Sequence, residues 1–172
     1  LAQILGVSLA SPLEIPSAIP PGTLAGEIDS LAVYRQALAE RPDLDQGLWE
    51  TASEAMPDMP YDGDAPFHPG TLDEFRTLSL SGPQFIPEAT FLALADGEVI
   101  GYGQLGWADR ARGIATHDML AVRRAFRGRG VAGALKATQI AWALEHDLTE
   151  LRTGNEERNT AARAVNARYP YE

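Results

Sequence analysis

The sequence contains no cysteine and a single lysine, Lys136; its 13 other basic side chains are arginines. Without cysteine there are no disulfides, thiolate metal sites or cysteine nucleophiles, a composition that fits a reducing cytosol and a cytoplasmic location. No apolar run approaches the ~18–20 residues needed to span a bilayer, so no membrane partner is expected. Basic charge is not in excess either. With 24 acidic against 14 basic side chains the formal net charge is -10, and a nucleic-acid phosphate field would repel such a protein. Repeats and low-complexity tracts are absent. So is an initiator methionine, and no positive charge precedes Arg35, as a secretory signal would need. Residues 1–10 resemble a buried strand, or a weak signal core, more than a start, and the chain reads as an excised or processed piece.

What is present describes one domain with a proper core: 172 residues, 45% hydrophobic and 22% charged, values ordinary for a globular fold. Charge is divided unevenly. Residues 1–86 hold 13 acids against 3 arginines, whereas residues 87–172 hold 11 of each sign. The whole negative excess therefore lies in the first half.

Prolines 12, 16, 20 and 21 mark residues 11–23 as a linker, so residues 1–28 read as an N-terminal strand and linker and 29–172 as the main domain. Leu31, Tyr34, Leu38 and Ala39 recur at helical spacing up to Pro42, and a second helical stretch, 48–56, stops at Pro57. Residues 57–70 are expected to form a surface loop. Thr71 with Glu74 gives a capping box for a short helix. The period then changes. Residues 89–95, the turn Asp96-Gly97 and residues 98–106 read as a hairpin, and 114–122 as a further strand. A long amphipathic helix follows at 131–146, with Val131, Leu135, Thr138 and Trp142 on one side. A short strand at 150–153 and a helix from about 159 to 168 complete the order. The fold class is α/β (α+β mixed), a largely antiparallel mixed sheet flanked by helices.

The most informative segment is VRRAFRGRGVAGALK, residues 122–136. A strand ends, glycines turn the backbone, and a helix begins at once. Successive N–H groups and the helix N-terminus then face one point, with Arg123, Arg124, Arg127 and Arg129 close by. That is an anion nest of phosphate or pyrophosphate size. A P-loop would need Lys-Ser/Thr after the last glycine, where Val131-Ala132 stand. A literal G-x-G-x-x-G occurs at Gly101–Gly106, but it runs inside a strand with no helix following, so it reads as close strand packing rather than a dinucleotide site.

Arg127-x-x-Gly130-x-Ala132, five residues after a strand ending at Val122, resembles the acyl-CoA signature of the GNAT N-acetyltransferases. Residues 155–166 resemble that family's Asn-x-x-Ala helix, as found in tandem-domain members and mycothiol-synthase-like proteins. The resemblance implies a GNAT-like fold, acetyl-CoA as co-substrate and no metal. It implies that the backbone of Arg127, Gly128, Arg129, Gly130, Ala132 and Gly133 holds the CoA pyrophosphate. Leu120 and Val122, on a strand that splays from its neighbour, would bond the pantetheine arm through their backbone, and Asn159 would contact the cofactor from the last helix.

Direct attack of an amine on a thioester requires a base, because an alkylammonium with pKa ~10.4 is not nucleophilic. Alternation places Thr116, Asp118, Leu120 and Val122 on one face of the third strand, and His117, Met119 and Ala121 on the other. Asp118 is the first candidate base and His117 the second. The family's general acid, a tyrosine, falls here on Asn166; Tyr169 and Tyr171 lie near. The family's closing strands are missing, and residues 1–10 are expected to replace one, in cis or from a neighbouring copy. The expected partners are thus a small amine acceptor and a homodimer or second GNAT half-domain. Glu40, Asp43, Asp45, Glu50, Glu54, Asp58, Asp62, Asp64, Asp73 and Glu74 are expected to draw in cationic amines. The competing expectation is a non-catalytic acyl-CoA-binding or scaffolding half of a tandem protein.

Overall fold

The computed structural model describes residues 2–8, 30–33, 41–60 and 66–169. Six strands form one sheet: β1 (Ala2–Ser8), β2 (Ser30–Val33), β3 (Phe85–Ala95), β4 (Glu98–Asp109), β5 (Ile114–Val122) and β6 (Glu150–Glu156). Their spatial order is β1-β6-β5-β4-β3-β2. Neighbours run antiparallel except β5 and β6, which are parallel and therefore need a crossover connection. The described helices are α1 (Leu44–Ala55), α2 (Leu72–Ser79), α3 (Val131–Glu145) and α4 (Thr160–Asn166).

Local chemistry sets these bounds. Asp96 and Gly97, with φ of 50° and 74°, form the two-residue turn whose twist suits a β3–β4 hairpin. In α1, Leu44, Leu48, Ala52 and Ala55 fall on one buried stripe, each leucine contributing ~1.5–3 kcal/mol by burial. Pro57 stops that helix by clashing with the preceding turn, and a short 3₁₀ turn, Met56–Asp58, follows. The Thr71–Glu74 capping box opens α2 with both reciprocal bonds made.

The helix expected from Asp29 onward is not what residues 30–33 form. They are β2, paired with β3 from Ser30↔Leu94 to Val33↔Phe91, because the open edge of β3 offers backbone partners that outweigh helical spacing over four residues; residues 34–40 lie outside the described set. The strand expected in residues 1–10 is β1, which adds in cis to β6 from Ala2↔Glu156 to Ser8↔Glu150. The linker expected at 11–23 lies outside the described residues, as do 61–65 of the expected loop and Tyr171.

The sheet is covered on both faces, so β4 is buried continuously from Val99 to Gly106. On one face α3 packs Val131, Leu135, Ile140 and Ala143 against Phe91, Ile100, Leu105, Ala115, Val122 and Leu151. On the other, α1 and Phe75 of α2 cover Leu92, Val99, Tyr102 and Ala121. Val131 and Leu135 lie on the buried face of α3 as expected, but Thr138 and Trp142 lie on its half-buried flank. In their place that face carries two fully enclosed polar residues, Lys136 and Gln139.

Candidate active site

Parallel pairing of β5 with β6 runs only from Ile114↔Glu150 to Thr116↔Arg152. Beyond it β5 continues to Val122 and β6 to Glu156 without registering against each other, so the sheet forks. A cavity of about 400 Å³ opens beside this fork, within the range of small-ligand sites. It is lined by Leu120, Ala121 and Val122 of β5, by Arg127, Gly128 and Gly130, by Val131, Ala132 and Gly133 of α3, and by Asn159, Ala162, Val165 and Arg168 around α4. Of the residues implied for CoA, all but Arg129 line it. Arg129 instead places its guanidinium 5.3 Å over the Phe126 ring.

Two left-handed glycines make the turn, Gly128 at φ 74° and Gly130 at φ 87°. Gly130 is the N-cap of α3, so the N–H groups of Val131, Ala132 and Gly133 have no carbonyl one turn earlier within the helix. They and the helix dipole give one wall of the cavity the donors and partial positive charge that suit a pyrophosphate. Asn159 is not simply a contact residue: its Oδ1 accepts from the Ala162 N–H at 3.0 Å, capping α4.

Arg123, Arg124 and Arg127 are committed to the protein's own acids. Arg124 grips Asp58 through Nε at 2.8 Å and Nη2 at 2.9 Å, and Arg127 adds Nη1 at 2.7 Å. Arg127 Nε also donates to the Val122 carbonyl at 3.0 Å. The two guanidinium groups hold the Asp58 carboxyl down to about 2. Arg123 pairs with Glu50 at 2.9 Å, and Glu54 accepts from the Arg124 N–H. Several other acids expected to draw in amines are likewise engaged within the protein. Asp43 pairs with Arg41, Asp45 and Asp73 with Arg76, and Glu74 serves the α2 cap. Glu40, Asp62 and Asp64 lie outside the described residues. Among the described acids, Glu50, Glu54 and Asp58 are directed at residues 123–127, which lead into the glycine loop.

Simple alternation also fails on β5. Met119 pairs with Gln104 and His117 with Leu105, so Asp118 is the extra residue of a β-bulge. Ahead of the bulge, Leu120 and Val122 line the cavity. Behind it the faces exchange. His117 turns toward α3, its Nδ1 3.0 Å from Gln139 Oε1, and burial holds its imidazole well below the ordinary range, hence neutral. Asp118 turns to the α1/α2 face, away from the side on which it was expected beside Leu120 and Val122. There its Oδ2 accepts from Gln104 Nε2 at 3.1 Å, and burial raises its carboxyl above the usual value, although the residue keeps a solvent-exposed side. Tyr102, buried on the same face, has its phenol pushed up by burial and by the Asp118 charge. The two candidate bases therefore lie on opposite faces of the sheet, and only Asp118 faces α2.

Where the family's tyrosine was expected, Asn166 is buried and donates to Thr153 Oγ1 at 3.4 Å. The Tyr169 hydroxyl donates to the Gly133 carbonyl at 2.9 Å. Lys136 Nζ reaches the same Thr153 oxygen at 3.5 Å, with its ammonium lowered to about 7 by burial. Gln104 and Lys136 were not expected as site residues, and Asp58 was expected only among the acids that draw in amines, not as the partner of Arg124 and Arg127. Gln104 had a signal, as an amide inside an otherwise apolar, glycine-rich strand. Asp58 had none, since 66 and 69 positions separate it from its partners.

No curated protein matches the chain in sequence. Among solved structures it is similar to a GNAT N-acetyltransferase from Sphaerobacter thermophilus, with TM-score 0.70 and 21% identity over 99% of this chain and 47% of that one. A tandem GNAT protein from the clavulanic acid biosynthesis pathway matches with TM-score 0.62 and 17% identity, over 99% and 49%. The NatC complex bound to Gag peptide and CoA matches with TM-score 0.60 and 19% identity, over 83% and 82%. The chain thus spans about half the length of the first two, and these likenesses concern the fold. The model of the Acetyltransferase (GNAT) family matches residues 48–168, more than half of the sequence. The chain belongs to the GNAT family of acetyltransferases.

Proposed function

We propose that the chain moves an acetyl group from acetyl-CoA to a primary amine of a small acceptor, within a ternary complex and with Asp118 as the base. The observation that carries this reading is the bulge. It leaves Leu120 and Val122 on the cavity wall and turns the next carboxylate along β5, Asp118, to the opposite face, beside Gln104. A cofactor in the cavity and an amine from the other face would then meet at the fork. The amine approaches as an ammonium, so its charge complements Asp118 directly. Asp118 takes one ammonium proton, nitrogen attacks the thioester carbon, the C–S bond breaks, and the second proton that nitrogen sheds, passed through solvent, neutralises the leaving thiolate. The glycine loop and the α3 N-terminus hold the diphosphate, so positioning supplies much of the acceleration.

A second reading, an acyl-CoA-binding half-domain without turnover, is favoured by the use of the Tyr169 hydroxyl on Gly133 and by the half-length matches. Calorimetric CoA binding beside free-thiol release from acetyl-CoA, over a panel of polyamines, aminoglycosides and neutral amines, separates the two. Binding with turnover supports the enzyme, and binding alone supports the half-domain. Absence of both removes the CoA assignment.

A further inference from the structure

We propose that Gln104 is the positioning residue for Asp118, setting both its direction and the pH at which it works; the inference rests on Asp118 acting as the base. Gln104 is 3% exposed in the middle of β4. An amide there costs stability unless its hydrogens are satisfied, and both are. Nε2 donates to the Ser79 carbonyl, at the last residue of α2, at 3.0 Å and to Asp118 Oδ2 at 3.1 Å. The two N–H bonds of one planar nitrogen diverge at a fixed angle. The end of α2 and the carboxylate on the bulge are therefore held in one geometric relation by a single buried group.

Asp118 Oδ2 is anchored, and Oδ1 has no hydrogen-bond partner among the described residues. One oxygen is fixed while the other can take a proton.

The same bond tunes ionisation. Burial favours the neutral acid, whereas a donated N–H favours the carboxylate. No cation among the described residues contributes to the Asp118 shift, and the titratable neighbour it acts on is the Tyr102 phenol. The Gln104 N–H is the hydrogen bond given to the Asp118 carboxylate among the described residues, so losing it leaves burial unopposed. The link to Ser79 adds that displacement of α2 by an acceptor is transmitted to the carboxylate through the amide.

The test pairs Gln104→Met and Gln104→Glu with Asp118→Asn as benchmark, using kcat against pH, KM for acetyl-CoA and Tm. Loss of the donor moves the acid limb of kcat to higher pH in Gln104→Met, with kcat about tenfold lower at pH values on that limb and KM within twofold. Gln104→Glu, a like charge beside Asp118, moves the limb further. A merely structural glutamine lowers Tm and leaves the limb in place, which overturns the inference while Asp118 stands. An Asp118→Asn variant of full activity overturns both. In the unaltered protein the Gln104 side-chain ¹⁵N–H₂ resonances titrate with the Asp118 carboxyl midpoint, and amide signals that ignore it also overturn the inference.

Discussion

Arg127 Nη1 lies 2.7 Å from Asp58 Oδ2, so the first residue of the CoA signature is tied to the turn that ends α1 and also to the Val122 carbonyl. Its side chain braces the glycine loop, and the loop's backbone amides are what it presents to the cavity.

Replacing Asp58 by Asn removes the shared acceptor of Arg124 and Arg127. The pair is exposed, so the expected loss is a few degrees of Tm at pH 7. Asp58 has a depressed folded-state pKa; its contribution is present above about pH 4 and disappears as pH falls through about 2. Melting curves of variant and parent should therefore converge toward pH 2. Freed arginines beside the cavity should also steepen the salt dependence of CoA binding.

Lys136 differs in that its charged form is the one the folded state disfavours. Unfolded, it is charged up to about 10.5, whereas folded it loses its proton at about 7, so stability rises with pH between these values. Lys136→Met removes the buried charge. It should gain roughly 1–3 kcal/mol at pH 7 and flatten the rise of Tm between pH 7 and 10. A destabilised variant would show that the ammonium is stabilised where it lies.

A Cβ at Gly128 meets nothing within 4 Å, so a substitution there is costly only through φ. Gly128→Ala should lose about 1 kcal/mol and weaken CoA binding, and Gly128→Asn should recover part of both. Equal affinity in all three, read by calorimetry, would remove the loop from the binding site.

Much of this architecture was legible in local signals. The Asp96-Gly97 turn, the Thr71–Glu74 box and Arg127-x-x-Gly130 each act within a few residues, and each lies where its chemistry puts it. The misreadings came from partners distant in sequence. Residues 30–33 pair with β3 some 60 positions on, overriding their helical spacing. The bulge at Asp118 reversed an alternation that no single strand could have announced, because two strands must fail to match before it exists. Of the acids counted as a field, Glu50 and Asp58 proved to be paired with arginines some 70 positions away.

The pairing of β1 with β6 predicts that deleting residues 1–12 bares the β6 edge. The shortened chain should melt several degrees lower or self-associate, measured by calorimetry and sedimentation. Unchanged stability and assembly would mean that the strand adds nothing to the sheet.

The central claim is tested most directly by Asp118→Asn, assayed for thiol release from acetyl-CoA with an amine acceptor beside calorimetric CoA binding. The account predicts CoA affinity within twofold of the parent and turnover reduced about 10²–10⁴-fold, partly recovered as pH rises and the amine deprotonates unaided. Turnover equal to the parent's at pH 7 would contradict it.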